Sequence, residues 1–158
     1  MWNEITNEED IQSLLEEYYD FHDSCIVSIN YSSGAFVDEN NAMGNGELYE
    51  HTVLMTFNSQ WKKPIELLFK GVRKCNIVGW QDYYFCDIMG AYLGFNDKLL
   101  GKTRDDKLIV WSDYSGFDPL IYTEREAISQ SGHNCTYVIA EKLFWRYKQE
   151  QDHEEEEE

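Results

Sequence analysis

One change of period constrains this chain more than any other feature. A single short stretch repeats its apolar residues every three to four positions; beyond it the repeat is two. Ile11, Leu14, Leu15 and Tyr18 recur at i, i+3, i+4 and i+7, the spacing of one apolar stripe along a helix. Thr6 and Glu9 stand ahead of it at capping-box spacing, and the acidic start suits the positive end of a helix dipole. Together these signals predict a helix over about residues 7–19.

From Cys25 onward the pattern predicts strands. Cys25, Val27, Ile29 and Tyr31 alternate with Ile26, Ser28 and Asn30, which puts the first four on one face of a half-buried strand. Residues 38–46, rich in Asn and Gly, read as a loop. A second strand is predicted over residues 48–58, with His51, Val53, Met55 and Phe57 on one face. Trp61, Lys62, Lys63 and Pro64 read as the turn into a third, over residues 65–70, where Ile65, Leu67 and Phe69 point one way.

Further strands are predicted near residues 84–93, 107–113 and 136–147. In the last, Tyr137, Ile139, Leu143 and Trp145 share a face interrupted only by Glu141. Residues 94–106 and 112–119 read as turns, and 123–129 as a short helical turn. A helix followed by strands with no long helix between them implies an α+β fold. Its form is mainly an antiparallel curved β-sheet or sandwich with one N-terminal helix packed on it.

The 158 residues suit one domain. The expected division is a globular body over residues 1–148 and an acidic, disordered tail over 149–158. Charge sharpens this division. The net charge is −17, yet residues 1–24 hold eight acids without a Lys or Arg, and residues 149–158 hold seven. The remaining 15 acids face 13 bases, so the body is nearly neutral. Acidic ends repel nucleic-acid phosphates and steer basic partners inward. The expected partner is therefore a basic protein rather than nucleic acid.

No basic start with an apolar stretch marks a signal peptide, and no apolar run approaches the ~20 residues of a membrane span. A cytoplasmic location without membrane attachment is the expectation. The four cysteines, Cys25, Cys75, Cys86 and Cys135, form no CxxC pair. Their number permits two disulfides, but small buried residues in a reducing cytosol is the plainer reading.

Candidate chemistry centres on His22, Asp23 and Ser24, where the helix gives way to the first strand. A metal needs three or four convergent ligands, and neighbouring residues do not converge, so a turn explains this polar cluster best. His51 reads as a hydrogen-bonded histidine within a strand. The acids Asp97, Asp105, Asp106, Asp113 and Asp118 lack calcium-loop spacing and read as solvated. The glycines form no phosphate-binding loop. No metal or cofactor is implied, and no residue is assigned a catalytic role.

The segment from Trp80 to Phe85 holds four aromatics in six residues, which cannot all face one core from a strand. Trp80, Tyr83 and Tyr84 are accordingly the expected partner-binding residues.

Three stretches carry a resemblance: Phe21-His22-Asp23-Ser24, Ile65-Glu66-Leu67-Leu68-Phe69-Lys70-Gly71-Val72, and Tyr137-Val138-Ile139-Ala140-Glu141-Lys142-Leu143-Phe144-Trp145-Arg146. With these the chain resembles a group of uncharacterised bacterial proteins, which are similar to the immunity proteins of polymorphic toxins. The resemblance implies an antiparallel α+β domain and a binding role, and it brings no catalytic residues. A non-enzymatic protein-binding domain, of the kind that inhibits a basic toxin, is the leading expectation. The alternatives are a metal-dependent or hydrolytic enzyme using His22, Asp23 and His51, and a self-associating structural domain.

Overall fold

The computed structural model describes residues 1–79, 85–99, 107–122 and 135–150. The helix α1 spans Glu8–Glu17. Its cap falls on Asn7, whose side chain accepts the Asp10 N–H, while the Asp10 carboxylate reaches back to the Thr6 N–H and hydroxyl. Asp10, one residue beyond the expected Glu9, closes the box. Its pKa is lowered from the usual carboxylate value by these bonds, the Thr6 N–H first. Ile11, Leu14 and Tyr18 are buried, as the stripe requires.

Among the described residues seven strands form one antiparallel sheet. They are β1 (Asn3–Glu4), β2 (Ser24–Ser32), β5 (Thr52–Ser59), β6 (Ile65–Asn76), β7 (Tyr92–Asn96), β8 (Leu108–Ser112) and β9 (Tyr137–Tyr147). A separate two-stranded ribbon joins β3 (Phe36–Val37) to β4 (Met43–Gly44), and a short helix α2 spans Pro119–Tyr122. The sheet runs β2-β5-β6-β9-β8-β7. The long β9 is its spine: β6 lies along one edge, and β8 and then β1 share the other.

The main core packs α1 against one face. Val53, Met55, Phe57, Ile65, Leu67 and Phe69 are fully buried there, which bears out the expected faces of β5 and β6. At its centre Phe21, Phe57 and Trp111 meet edge to face, with ring centroids 5.1–5.7 Å apart. A second cluster lies apart, built from Leu108, Val110, Phe117, Tyr137 and Ile139 among others. Packing on both faces explains why every residue of β8 is buried.

Three sequence expectations need correction. First, β2 carries a bulge between Ile26 and Ser28. The added residue lets both Ile26 and Ile29 pack on the core, leaves Val27 exposed, and sets Cys25 across from exposed Asn58. Strict alternation fails because one extra residue flips every later side chain.

Second, β9 changes faces along its length. Leu143 and Trp145 pack on the main core with Val138 and Ala140, whereas Tyr137 and Ile139 join the second cluster. The switch lies at Glu141, beside Gly71 on β6. Gly71 has φ 68°, and a Cβ there would stand 2.7 Å from the Glu141 side chain. Third, the strand expected over residues 84–93 is β7, which begins only at Tyr92 and continues through Gly94 to Asn96. The Tyr92 ring lies across Gly94, so this glycine makes room within a strand rather than ending it. The helical turn expected over 123–129 lies outside the described residues, and so does 151–158 of the expected tail.

The open face of β6 and β9 carries cross-strand ion pairs. Arg146 Nε donates to Glu66 at 2.7 Å, directly across the ladder, and Arg73 binds Glu141. The Trp2 ring stacks 4.1 Å from the Arg146 guanidinium. Among the described residues no helix is long and apolar enough to cross a membrane.

Candidate functional site: an aromatic corner at the end of the helix

After α1 the chain turns sharply. Tyr19, Asp20 and Phe21 all have positive φ, between 52° and 61°, and Asp23 follows at 58°. Left-handed backbone costs non-glycine residues roughly 1–2 kcal/mol each, so something must hold the turn. Phe21 does so by burying its ring completely among Tyr18, Phe57 and Trp111. Backbone bonds add to this, from His22 N to Tyr19 O and from Ala91 N to Asp20 O.

The turn sets its polar side chains against the hairpin between β5 and β6. Gln60 N donates to Asp23 O, which ties the two loops together. Ser59 Oγ accepts from the N–H groups of Trp61 and Lys62, shaping the hairpin. Trp61 is 68% exposed, yet it is anchored: its indole Nε1–H donates to Asp23 Oδ2 at 2.8 Å. His22 Nδ1 lies 3.0 Å from the other oxygen, Oδ1. Lys62 Nζ stands 4.6 Å from the centroid of the half-exposed Tyr19 ring. Tyr19, His22, Asp23 and Trp61 line a shallow depression of about 460 Å³.

Both Asp23 oxygens are thus engaged. The Trp61 N–H first, and His22 second, hold its carboxyl below the usual range. The arrangement presents a large aromatic edge in a fixed orientation beside an acid. Ser24 is no nucleophile for His22 and Asp23. It is buried, and its hydroxyl donates to the Phe21 carbonyl.

The expected polar cluster therefore divides. His22 and Asp23 face the corner, and Ser24 serves the turn. His51 does not lie within a strand as expected: residues 48–50 form a 3₁₀ turn that His51 caps, one residue before β5, and its carbonyl accepts the Val72 N–H. Eight residue steps to Ser59 put it about 26 Å away. Among the described residues no group of three His, Cys, Asp or Glu side chains could hold a metal ion. Trp80, Tyr83 and Tyr84 lie outside the described residues, as does His133. Phe85, the last aromatic of that segment, is exposed.

Sequence reasoning passed over Tyr19 and Trp61. Tyr19 sits one residue after a core tyrosine, and Trp61 falls within the predicted turn. The usable signal was a tryptophan between Ser59 and Pro64, in a hairpin loop too short to fold back on the core. Asp113 is not the solvated acid that its loop position predicts. It is half-buried and accepts the Thr136 N–H at 3.0 Å, and burial raises its pKa to about 6.

Comparison of the chain with protein-family models, curated proteins and solved structures returned no match.

Proposed function

We propose that this chain is a non-enzymatic protein-binding domain whose partner docks on the corner formed by Tyr19, His22, Asp23 and Trp61. One observation carries the reading: Trp61 is exposed yet locked in place by a charge-assisted bond to Asp23. Exposed tryptophans and tyrosines with little freedom left to lose are the residues that anchor protein interfaces. Asp20 and Asp23 stand on the same turn, next to a helix that carries only acids among its charged residues. Such a field favours a basic partner and speeds its approach.

A basic toxin neutralised by this domain is the finer form of the proposal. It draws on the resemblance to immunity proteins and on the acidic ends. A basic nuclease is the kind of partner this charge would steer.

The test is recovery of tagged protein from its source cells at low salt. A stoichiometric basic protein should accompany the wild type and be lost from Trp61→Ala, while truncation after residue 148 leaves it bound. Retention by Trp61→Ala together with loss from Trp80→Ala would move the site to the segment beyond β6. Absence of any stoichiometric partner would end the binding reading. The toxin form further requires that the partner arrest growth when expressed alone, and that co-expression of this chain relieve the arrest.

A further inference from the structure

Behind the corner lies a second cleft, of about 330 Å³, lined by Cys25, Asn58, Ser59, Cys86 and Asp87 together with Asp23 and its neighbours. Two of the four cysteines meet in it. The bulge in β2 is what makes Cys25 available, because its register sets it across from Asn58 rather than from a core residue. Cys86 arrives by a different route. A single antiparallel bridge, Ser24 to Ile88, pins the chain segment that precedes β7 against the start of β2. Asp23 N donates to Ile88 O and Ile88 N to Ser24 O, at 3.1 and 2.8 Å. The two side chains line the same cleft, close enough that Cys86 helps to raise the Cys25 pKa.

The other cysteines differ. Cys135 is buried in the second cluster, and Cys75 is half-buried against the main core. The expectation of small buried cysteines holds for Cys135, holds in part for Cys75 and Cys25, and fails for the exposed Cys86.

We propose that Cys25 and Cys86 are an oxidant-responsive thiol pair that closes to a disulfide by exchange with a low-molecular-weight disulfide. Cys86 is exposed and Cys25 only partly so, which sets the order of events. The Cys86 thiolate attacks one sulfur of the small disulfide, forming a mixed disulfide and releasing one small thiolate. The Cys25 thiolate then attacks the Cys86 sulfur, closing the intramolecular bond and releasing the second. Both protein protons pass by way of solvent to the two departing thiolates, and the small disulfide is the species reduced.

Burial first, then Cys86 and Asp87, keep the Cys25 thiol above its usual pKa, so the second step quickens as pH rises. Closure would staple the segment carrying Cys86 to β2. A covalent tie would be added to the Ser24–Ile88 backbone bridge, close to Asp23.

The experiment treats the full, reduced chain with oxidised glutathione and maps linkages by mass spectrometry after non-reducing digestion. The expected product joins Cys25 to Cys86, with two hydrogens lost and no glutathione retained, and it reopens with dithiothreitol. Cys25→Ser should stop at a glutathione adduct on Cys86. Closure should slow amide exchange at Asp23 and Ile88 and raise Tm by on the order of 5 °C. A wild-type product that retains glutathione on Cys86, a linkage through Cys75 or Cys135, or reduced protein persisting throughout would overturn the proposal.

Discussion

The two ends of β5 hold their loops by opposite means. Beyond Ser59 lies the aromatic corner, where four non-glycine residues accept positive φ. Before Thr52 lies a region of glycine turns, where Gly34 and Gly46 adopt φ of 70° and 72° without steric cost. There a short 3₁₀ turn, Leu48–Glu50, is closed by a reciprocal box between Glu47 and Glu50. Both ends expose apolar side chains: Tyr19 and Trp61 at one, Phe36, Val37 and Met43 at the other. At the corner, however, backbone strain is supported by a buried aromatic ring, and the exposed indole is hydrogen-bonded. At the glycine end shape follows from glycine backbone and from exposed polar side chains, Asp38, Glu47 and Glu50, that bond to the backbone. Strain kept in place by packing is where a functional surface is best sought.

The largest expected effect comes from removing that support. Phe21→Ala should cost about 3–5 kcal/mol in urea unfolding, because it empties a fully enclosed site between Tyr18, Phe57 and Trp111. Phe36→Ala, at the exposed end, should cost less than about 1 kcal/mol. Equal losses would erase the distinction between the two ends.

Gly46→Ala comes next, at about 1–3 kcal/mol. A Cβ there would stand 2.5 Å from the Gly34 carbonyl oxygen, and alanine resists φ 72°. Asp20→Gly should act in the reverse direction. Relief of a left-handed residue at φ 52° should stabilise the chain by about 0.5 kcal/mol, net of the glycine's greater unfolded freedom. A loss there would mean that Asp20 contributes more than its backbone.

The remaining effects are in pH dependence, and two carboxylates separate them by sign. Asp23 has a lowered pKa, so its contribution is present above the ordinary value of 3.8 and is lost as pH falls through its folded pKa. The indole N–H resonance of Trp61 should therefore hold its position at pH 5 and move only in stronger acid. Asp113 has a raised pKa of about 6. It binds a proton more readily folded than unfolded, so its effect favours folding as pH falls from about 6 toward 4 and disfavours it on the way up. Asp113→Asn should flatten the stability profile across that window. A profile unchanged by Asp113→Asn would place that carboxylate in water.

The legible part of the fold is the part where local pattern and burial agree. The stripe Ile11, Leu14 and Tyr18 and the alternation through Val53, Met55, Phe57, Ile65, Leu67 and Phe69 appear in the structure on the predicted faces. At the corner, His22 and Asp23 were found as a cluster because they are adjacent in sequence. Trp61 was not, because its tie to Asp23 spans 38 positions. The meeting of Cys25 and Cys86 escaped notice for the same reason, and depends in addition on a bulge that no composition marks.

By itself the sequence determined the α+β class, the helix, the core faces of β5 and β6, and the confinement of net acidity to the two ends. These follow from side-chain period and charge, which each segment carries locally. Tertiary structure alone decided the order β2-β5-β6-β9-β8-β7, the exchange of faces at Gly71 and Glu141, and the anchoring of Trp61. Each depends on which distant backbone or side chain fills the space opposite, and a residue's own chemistry does not specify its neighbour across a fold.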